Sequence, residues 1–279
     1  SWNFTIGVYM NITFIGGGNM ASALIGGLLQ QGYSPKQITV VEINAEGREK
    51  IKHEFNVEVM ADSAHGIADS GVILLAVKPQ QLPVVSQELA PLLGNRLVIS
   101  IAAGIRAKDI SRWMGGHERI VRAMPNTPAL IRAGITGLYA LAGVSAEEKH
   151  NAESILAAVG SVLWCDREEL LDAVTALSGS GPAYVFYFIE AMQRAGQELG
   201  LDATQARQLA LETFLGSARL ASQSNENVAA LRARVTSRGG TTERAIQALE
   251  NTGVKKGIIN AIHLANQRAR ELGDEFGTT

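Results

Sequence analysis

Residues 11–21 read NITFIGGGNMA. Five residues of apolar, strand-like character run into Gly16-x-Gly18-x-x-Ala21, and Leu24, Leu28 and Leu29 then recur at helical spacing. A strand, a glycine turn and a helix in that order are the fingerprint of a dinucleotide site. Gly16 allows the tight turn, Gly18 lets the backbone approach a pyrophosphate, and Ala21 lets the helix lie close to the sheet. The helix start offers N–H groups and a positive dipole end to the phosphates. Ile15, Gly16, Gly18, Asn19 and Met20 are assigned to the cofactor on this basis. The competing reading is a glycine-rich turn that binds nothing.

Working outward, a second strand at 38–42 ends in Glu42, about where an acid meets the ribose 2′-hydroxyl of NAD. Asn44, Arg48 and Lys50 lie just beyond, so the choice between NADH and NADPH stays open. A solvated strand end is the plainer account of Glu42. Further strands read at 57–60, 72–77 (VILLAV), 97–101 (LVISI), 119–123, 135–140 and near 161–165. VILLAV and LVISI are almost continuously apolar, as in a parallel sheet buried on both faces. Strands alternating with helical patterns predict a doubly wound, Rossmann-like α/β domain over residues 10–166.

The pattern changes after residue 166. Helical stretches follow at 168–177, 182–199, 203–222, 226–235, 241–250 and 254–272, with Gly200 and Gly253 as stops. Residues 167–279 thus read as an all-α domain whose apolar faces a partner subunit would bury. The chain of 279 residues, 46% of them hydrophobic, has the material for two cores. A net charge of −2 without blocks of like charge gives no nucleic-acid footprint. No apolar run reaches the roughly 18 residues of a membrane span. The single cysteine, Cys165, excludes an intrachain disulfide, and without a secretory signal a cytoplasmic location is expected. Ser1 to Tyr9 read as an appendage or upstream extension, because Met10-Asn11 opens a strand directly.

Ligands of open α/β sheets bind at the carboxyl ends of strands. Ala76, Val77, Lys78 and Pro79 follow the fourth strand, Ala102 to Gly104 the fifth, and Asn126, within MPNTP, the sixth. These small and stiff residues suit the wall of a nicotinamide ribose site. Lys78 is better read as a solvated charge or phosphate contact than as a catalytic acid. On the helical side, Ser178-Gly179-Ser180-Gly181-Pro182 reads as a flexible loop closing into a helix that Ser180 could cap. Between two later helices stands Val235-Thr236-Ser237-Arg238-Gly239-Gly240-Thr241-Thr242-Glu243. Free N–H groups at that helix start can hold a carboxylate without any arginine, and its hydroxyls can meet a ring nitrogen. An ordinary glycine turn with a threonine cap is the alternative. The five histidines show no metal-ligand spacing, so no metal is expected, and Cys165 reads as a small buried residue.

IGGGNMA, AVKPQ, SIAAGI, RAMPNTPAL, SGSGPAY and TSRGGTTERAI occur in this order. Together they resemble pyrroline-5-carboxylate reductases, from about Met10 to the C-terminus. The resemblance implies reduction of a small cyclic imino acid by NADPH or NADH, and homodimers formed by interlocked helical domains, often joined into larger rings. It places the substrate carboxylate on the backbone around Ser237, Gly240 and Thr241, puts the Thr242 hydroxyl on the ring nitrogen as the catalytic group, and sets Ser178 at the substrate. The sequence departs from the family at Arg238, where a proline is usual, and at Ser63, where an asparagine usually stands beside the adenosine. A β-hydroxy-acid dehydrogenase would need a lysine base on the helix 182–199, which has none. A noncatalytic nucleotide sensor would leave the Gly-Gly-Thr-Thr helix start unexplained.

Overall fold

A computed structural model describes residues 10–279; residues 1–9, read from the sequence as an appendage, lie outside the described residues. The described residues form two compact units, residues 10–179 with 265–279, and residues 180–264. The sequence boundary at 166 marks the end of the strands. Packing places the division later, and the last residues of the chain belong to the first unit.

In the first unit β1 (Ile12–Ile15), α1 (Asn19–Gln30), β2 (Ile38–Val41), α2 (Ala45–Phe55), β3 (Glu58–Met60) and α3 (Ser63–Gly66) make the first half of the sheet. They are followed by β4 (Val72–Leu75), α4 (Leu82–Leu89), β5 (Leu97–Ser100), α5 (Ala107–Trp113) and β6 (Ile120–Met124). Then come β7 (Gly134–Ala140), α6 (Ala146–Leu156), β8 (Gly160–Trp164) and α7 (Leu170–Val174). The strand order is β3-β2-β1-β4-β5-β6-β7-β8. All pairs are parallel except β6 with β7. That reversal was not expected from the sequence. Its cause is the connection, a short 3₁₀ turn over Thr127–Ile131, which is no crossover helix and lets the chain double back. The order reverses between β1 and β4, which opens the crevice where such sheets take ligands.

Two apolar layers sandwich the sheet. Ile12, Phe14, Leu24 and Leu28 lie in one, and Ile73, Leu75, Val98 and Ile110 in the other. Alternate residues of β1 and β4 point to opposite layers, which explains why both strands are buried along their whole length. One charged cluster is enclosed with them. Arg122 on β6 is buried, its Nη1 3.6 Å from the Glu168 carboxylate, and Glu168 also accepts from the Ala107 N–H at 2.8 Å. Burial pushes Asp172, nearby on α7, above the usual carboxylate range, and Arg122 and Arg106 oppose that shift.

The second unit is helical: α8 (Gly181–Glu198), α9 (Ala203–Gln223), α10 (Val228–Arg234), α11 (Thr241–Asn251) and the start of α12 (Val254–Phe276). Gly200 and Gly253 end helices with φ of 104° and 72°, left-handed angles that suit a residue without a side chain. No helix among the described residues is long and apolar enough to cross a membrane.

The segment before α8 departs from the expected flexible loop. Thr175–Gly179 forms a π-helical turn that continues α7. Ser180 does not cap α8: it has right-handed helical angles, and its side chain makes no capping bond. The cap is superfluous because the chain is already helical before α8 begins.

Candidate active site

The cradle in the first unit is built largely from main chain. Gly16 has φ of 98°, and a Cβ there would lie 2.6 Å from the Ala76 carbonyl oxygen, so the turn and the end of β4 approach as only glycine allows. Two bonds fix that approach. The Gly16 N–H donates to the Val41 carbonyl at 2.9 Å, and the Ala76 N–H to the Ile15 carbonyl at 2.8 Å. Gly18 is the N-cap of α1 with an extended backbone, and no side chain caps the helix. A Cβ at Gly18 would meet nothing within 4 Å. The helix start therefore faces open space with its amides uncovered, which fits the pyrophosphate of a dinucleotide. Ile15 and Ala21 are buried, Met20 is half-buried, and Asn19 is exposed at the helix start.

Around this start stand the other assigned residues. Lys78 is exposed and extended ahead of Pro79, and Ala102 is buried behind Ala103. Gly104 has φ of 77° and packs against the terminal helix, with Leu272 Cβ and the Phe276 ring each 3.4 Å from where its Cβ would stand. This contact is not legible in the sequence, because the periodicity of the last helix fades at 272 while the helix runs to Phe276. Arg106 secures it by donating to Asp274 at 2.7 Å and to the Arg270 carbonyl at 3.2 Å. Arg112 donates to the carbonyls of Gly277 and Thr279, both at 2.9 Å.

Ser63 opens α3 behind Asp62, whose side chain caps the helix by accepting from the Ala64 N–H at 3.0 Å. Contact with His65, and then that N–H, hold the Asp62 carboxyl below its usual value. Asn126 turns its amide into the protein. Its Oδ1 accepts from the Ile135 N–H at 2.9 Å, and its Nδ2 donates to the Ser178 carbonyl at 3.1 Å. The Ser178 hydroxyl donates in turn to the Val174 carbonyl at 3.0 Å. Asn126 thus ties β7 to the π-turn, a role its place in MPNTP did not reveal. Cys165 is half-buried rather than fully buried, and burial pushes its thiol up.

In the second unit α10 ends at Arg234, and the chain turns through Ser237, Arg238 and Gly239, all exposed. Gly239 has φ of 76°, and the Gly240 N–H donates to the Ser237 carbonyl at 3.0 Å. Gly240 is the N-cap of α11, and no side chain caps it. The threonine cap of the plainer reading is absent: Thr241 and Thr242 are the first two helical residues, with Thr241 exposed and Thr242 half-buried. Thr236 spends its hydroxyl on the Arg232 carbonyl at 2.6 Å. A helix start with uncovered amides and a threonine hydroxyl in its first turn can receive a small carboxylate beside a polar nitrogen. No cluster of three or more metal-ligating side chains occurs among the described residues.

A doubly wound sheet with a glycine turn and open helix amides at its switch point, followed by a helical unit, defines a dinucleotide-binding protein. Comparison with known proteins narrows the class. A family model described as NADP oxidoreductase, coenzyme F420-dependent, matches residues 11–104, and one described as pyrroline-5-carboxylate reductase dimerisation matches residues 168–272. Pyrroline-5-carboxylate reductase of Pseudomonas aeruginosa is 48% identical over 267 residues, spanning 95% of this chain and 98% of that protein. The reductase of Coxiella burnetii has a solved structure with a TM-score of 0.90 at 44% identity, covering 95% of this chain and 98% of that one. A pyrroline carboxylate reductase of Plasmodium falciparum, solved with NADP bound, gives a TM-score of 0.86 at 28% identity, covering 96% and 100%. The chain belongs to the pyrroline-5-carboxylate reductase family.

Proposed function

We propose that this protein reduces the C=N bond of 1-pyrroline-5-carboxylate to give L-proline, with Thr242 as the group that positions the ring nitrogen. The observation that carries the residue assignment is the uncapped start of α11, where Gly240 leaves the first amides open and Thr242 stands in the first turn. Those amides, with Ser237 and Thr241, hold the substrate carboxylate. The Thr242 hydroxyl accepts from the protonated ring nitrogen and orients the imine; the proton, taken up from water before hydride transfer, stays on the nitrogen of the product.

When bound, the reduced nicotinamide supplies hydride to the imine carbon. The α1 amides and Gly18 hold the pyrophosphate, Glu42 and Ser63 lie on the adenosine side, and Ala76 to Pro79, Ala102, Gly104 and Asn126 wall the nicotinamide end. A protonated imine is already electrophilic, so the site needs placement and exclusion of water more than a strong acid. This agrees with α8, which carries no lysine.

The dimerisation family model and the exposed apolar helix faces support a homodimer or a larger homo-oligomer. We place the enzyme in the cytoplasm. The deciding experiment follows NADPH or NADH absorbance with pyrroline-5-carboxylate as acceptor and an open-chain keto acid as control. Oxidation with the cyclic imine alone is the expected result. No oxidation by folded, nucleotide-binding protein would replace the reductase with a binding module.

A further inference from the structure

We propose that Glu42 makes this protein select NADH over NADPH, and that Arg48 braces the strand end instead of serving as a ligand for a 2′-phosphate. The proposal rests on the cofactor class in the reading above but goes beyond it, since that reading admits either nucleotide.

The position of Glu42 is fixed on both sides. The fingerprint turn bonds to the residue before it, from the Gly16 N–H to the Val41 carbonyl at 2.9 Å. The Glu42 N–H donates to the Met60 carbonyl at 2.9 Å, which ties the residue to the end of β3. The residue therefore stands at the end of the strand next to β1, whose own end leads into the nucleotide turn. Its carboxylate lies over the first turn of α2, where a Cβ on Gly47 would be only 3.1 Å from Oε1. The Gly47 N–H is already taken by the Asn44 side chain at 3.1 Å, so the carboxylate is not used as the helix cap. No basic side chain among the described residues forms an ion pair with it. It keeps its lone pairs for the two hydroxyls of an unphosphorylated ribose.

The nearby cation is turned to the strand backbone and not to that carboxylate. Arg48 Nη1 donates to the carbonyls of Glu42 and Ile43, at 2.7 and 3.0 Å. Nη1 is thus committed to the backbone of the strand end, which anchors the guanidinium there. A phosphate on the 2′-oxygen would replace a hydrogen-bond donor with a dianion next to a fixed carboxylate. Juxtaposed like charges exclude the wrong ligand more strongly than any single contact favours the right one.

The test is titration of the full-length protein with NADH and, separately, NADPH, read by nicotinamide fluorescence and without any imine. We expect the wild type to bind NADH at least about tenfold tighter. Glu42→Ala should bring the ratio of dissociation constants close to one, and Glu42→Gln, which keeps the size and loses the charge, should shift it in the same direction. Arg48→Ala should weaken both nucleotides by the same factor. Equal or tighter NADPH binding by the wild type would overturn the proposal, as would an unchanged ratio in both Glu42 variants or a loss confined to NADPH in Arg48→Ala. Loss of imine reduction with an intact binding ratio would strike the reductase reading and leave this one standing.

Discussion

Phe14, at the centre of the sheet, is fully buried, whereas Phe186 on α8 is 65% exposed and Tyr187 beside it 75%. The same contrast runs through the two units. The first has apolar layers on both faces of its sheet. In the second, Ile189, Ala206 and Ala210 are buried, while Leu199, Leu209, Leu215 and Leu220 face outward. One unit has closed its core within a single chain, and the other presents apolar surface that another protein surface must cover. The division extends to chemistry. The first unit offers a main-chain cradle that fits a dinucleotide, and the second an uncapped helix start that we propose receives a small acid.

The strongest test of the contrast lies inside the first unit. Arg122→Met should leave Glu168 and Asp172 with uncompensated buried charge and cost about 3–5 kcal/mol of stability, read in denaturant or thermal melts. A loss below about 1 kcal/mol would show that solvent reaches the cluster and that this core is less closed than its burial indicates. Next is chemistry in the second unit. Thr242→Ala should lower turnover by about a hundredfold, near 2.7 kcal/mol of barrier, while nucleotide affinity stays unchanged. Unchanged turnover would remove Thr242 from the mechanism. Third, Phe186→Glu should weaken self-association by about tenfold or more, seen in sedimentation velocity across a dilution series, because a charge would enter a desolvated apolar contact. An unaltered association would mean that the exposed face of α8 lies outside the interface.

The smallest effect concerns pH. Burial holds His117 below the ordinary histidine range, and its bond to the Arg96 carbonyl at 2.8 Å opposes part of that shift. The unfolded chain takes up this proton more readily than the folded one. Stability is therefore full above the ordinary histidine value and falls as pH drops through it toward the depressed one. His117→Asn should reduce the loss of melting temperature between pH 7.5 and 5.5 by about a degree or two. An identical acid response in wild type and variant would assign the loss to other groups.

Much of this was legible in the sequence, for local reasons. Each strand was placed within a few residues: VILLAV and LVISI are short apolar runs between turn signals, as in strands buried on both faces, and Gly200 and Gly253 end helices at left-handed angles that suit glycine. The glycine fingerprint was legible because it spells out backbone geometry. What escaped depends on contacts distant in the chain. The reversal at β7 follows from a short turn whose outcome rests on pairing with β6. The Asn126 bridge joins residues 52 apart in sequence, and Arg106 meets Asp274 across 168. The π-turn sits in a stretch whose glycines and serines suggested flexibility, yet the Asn126 amide and the Ser178 hydroxyl hold it.

The main-chain cradle also determines how this half of the site fails. Gly16, Gly18, Ala21, Ala76 and Ala102 contribute by having little or no side chain, so inherited damage there will come mostly from gained atoms. A scan that truncates side chains to alanine is blind at three of these five positions and acts by addition at the other two. A substitution survey of the cradle should therefore enlarge residues, and ranking positions by the volume they tolerate would separate close approaches within the protein, as at Gly16, from the open space in front of Gly18.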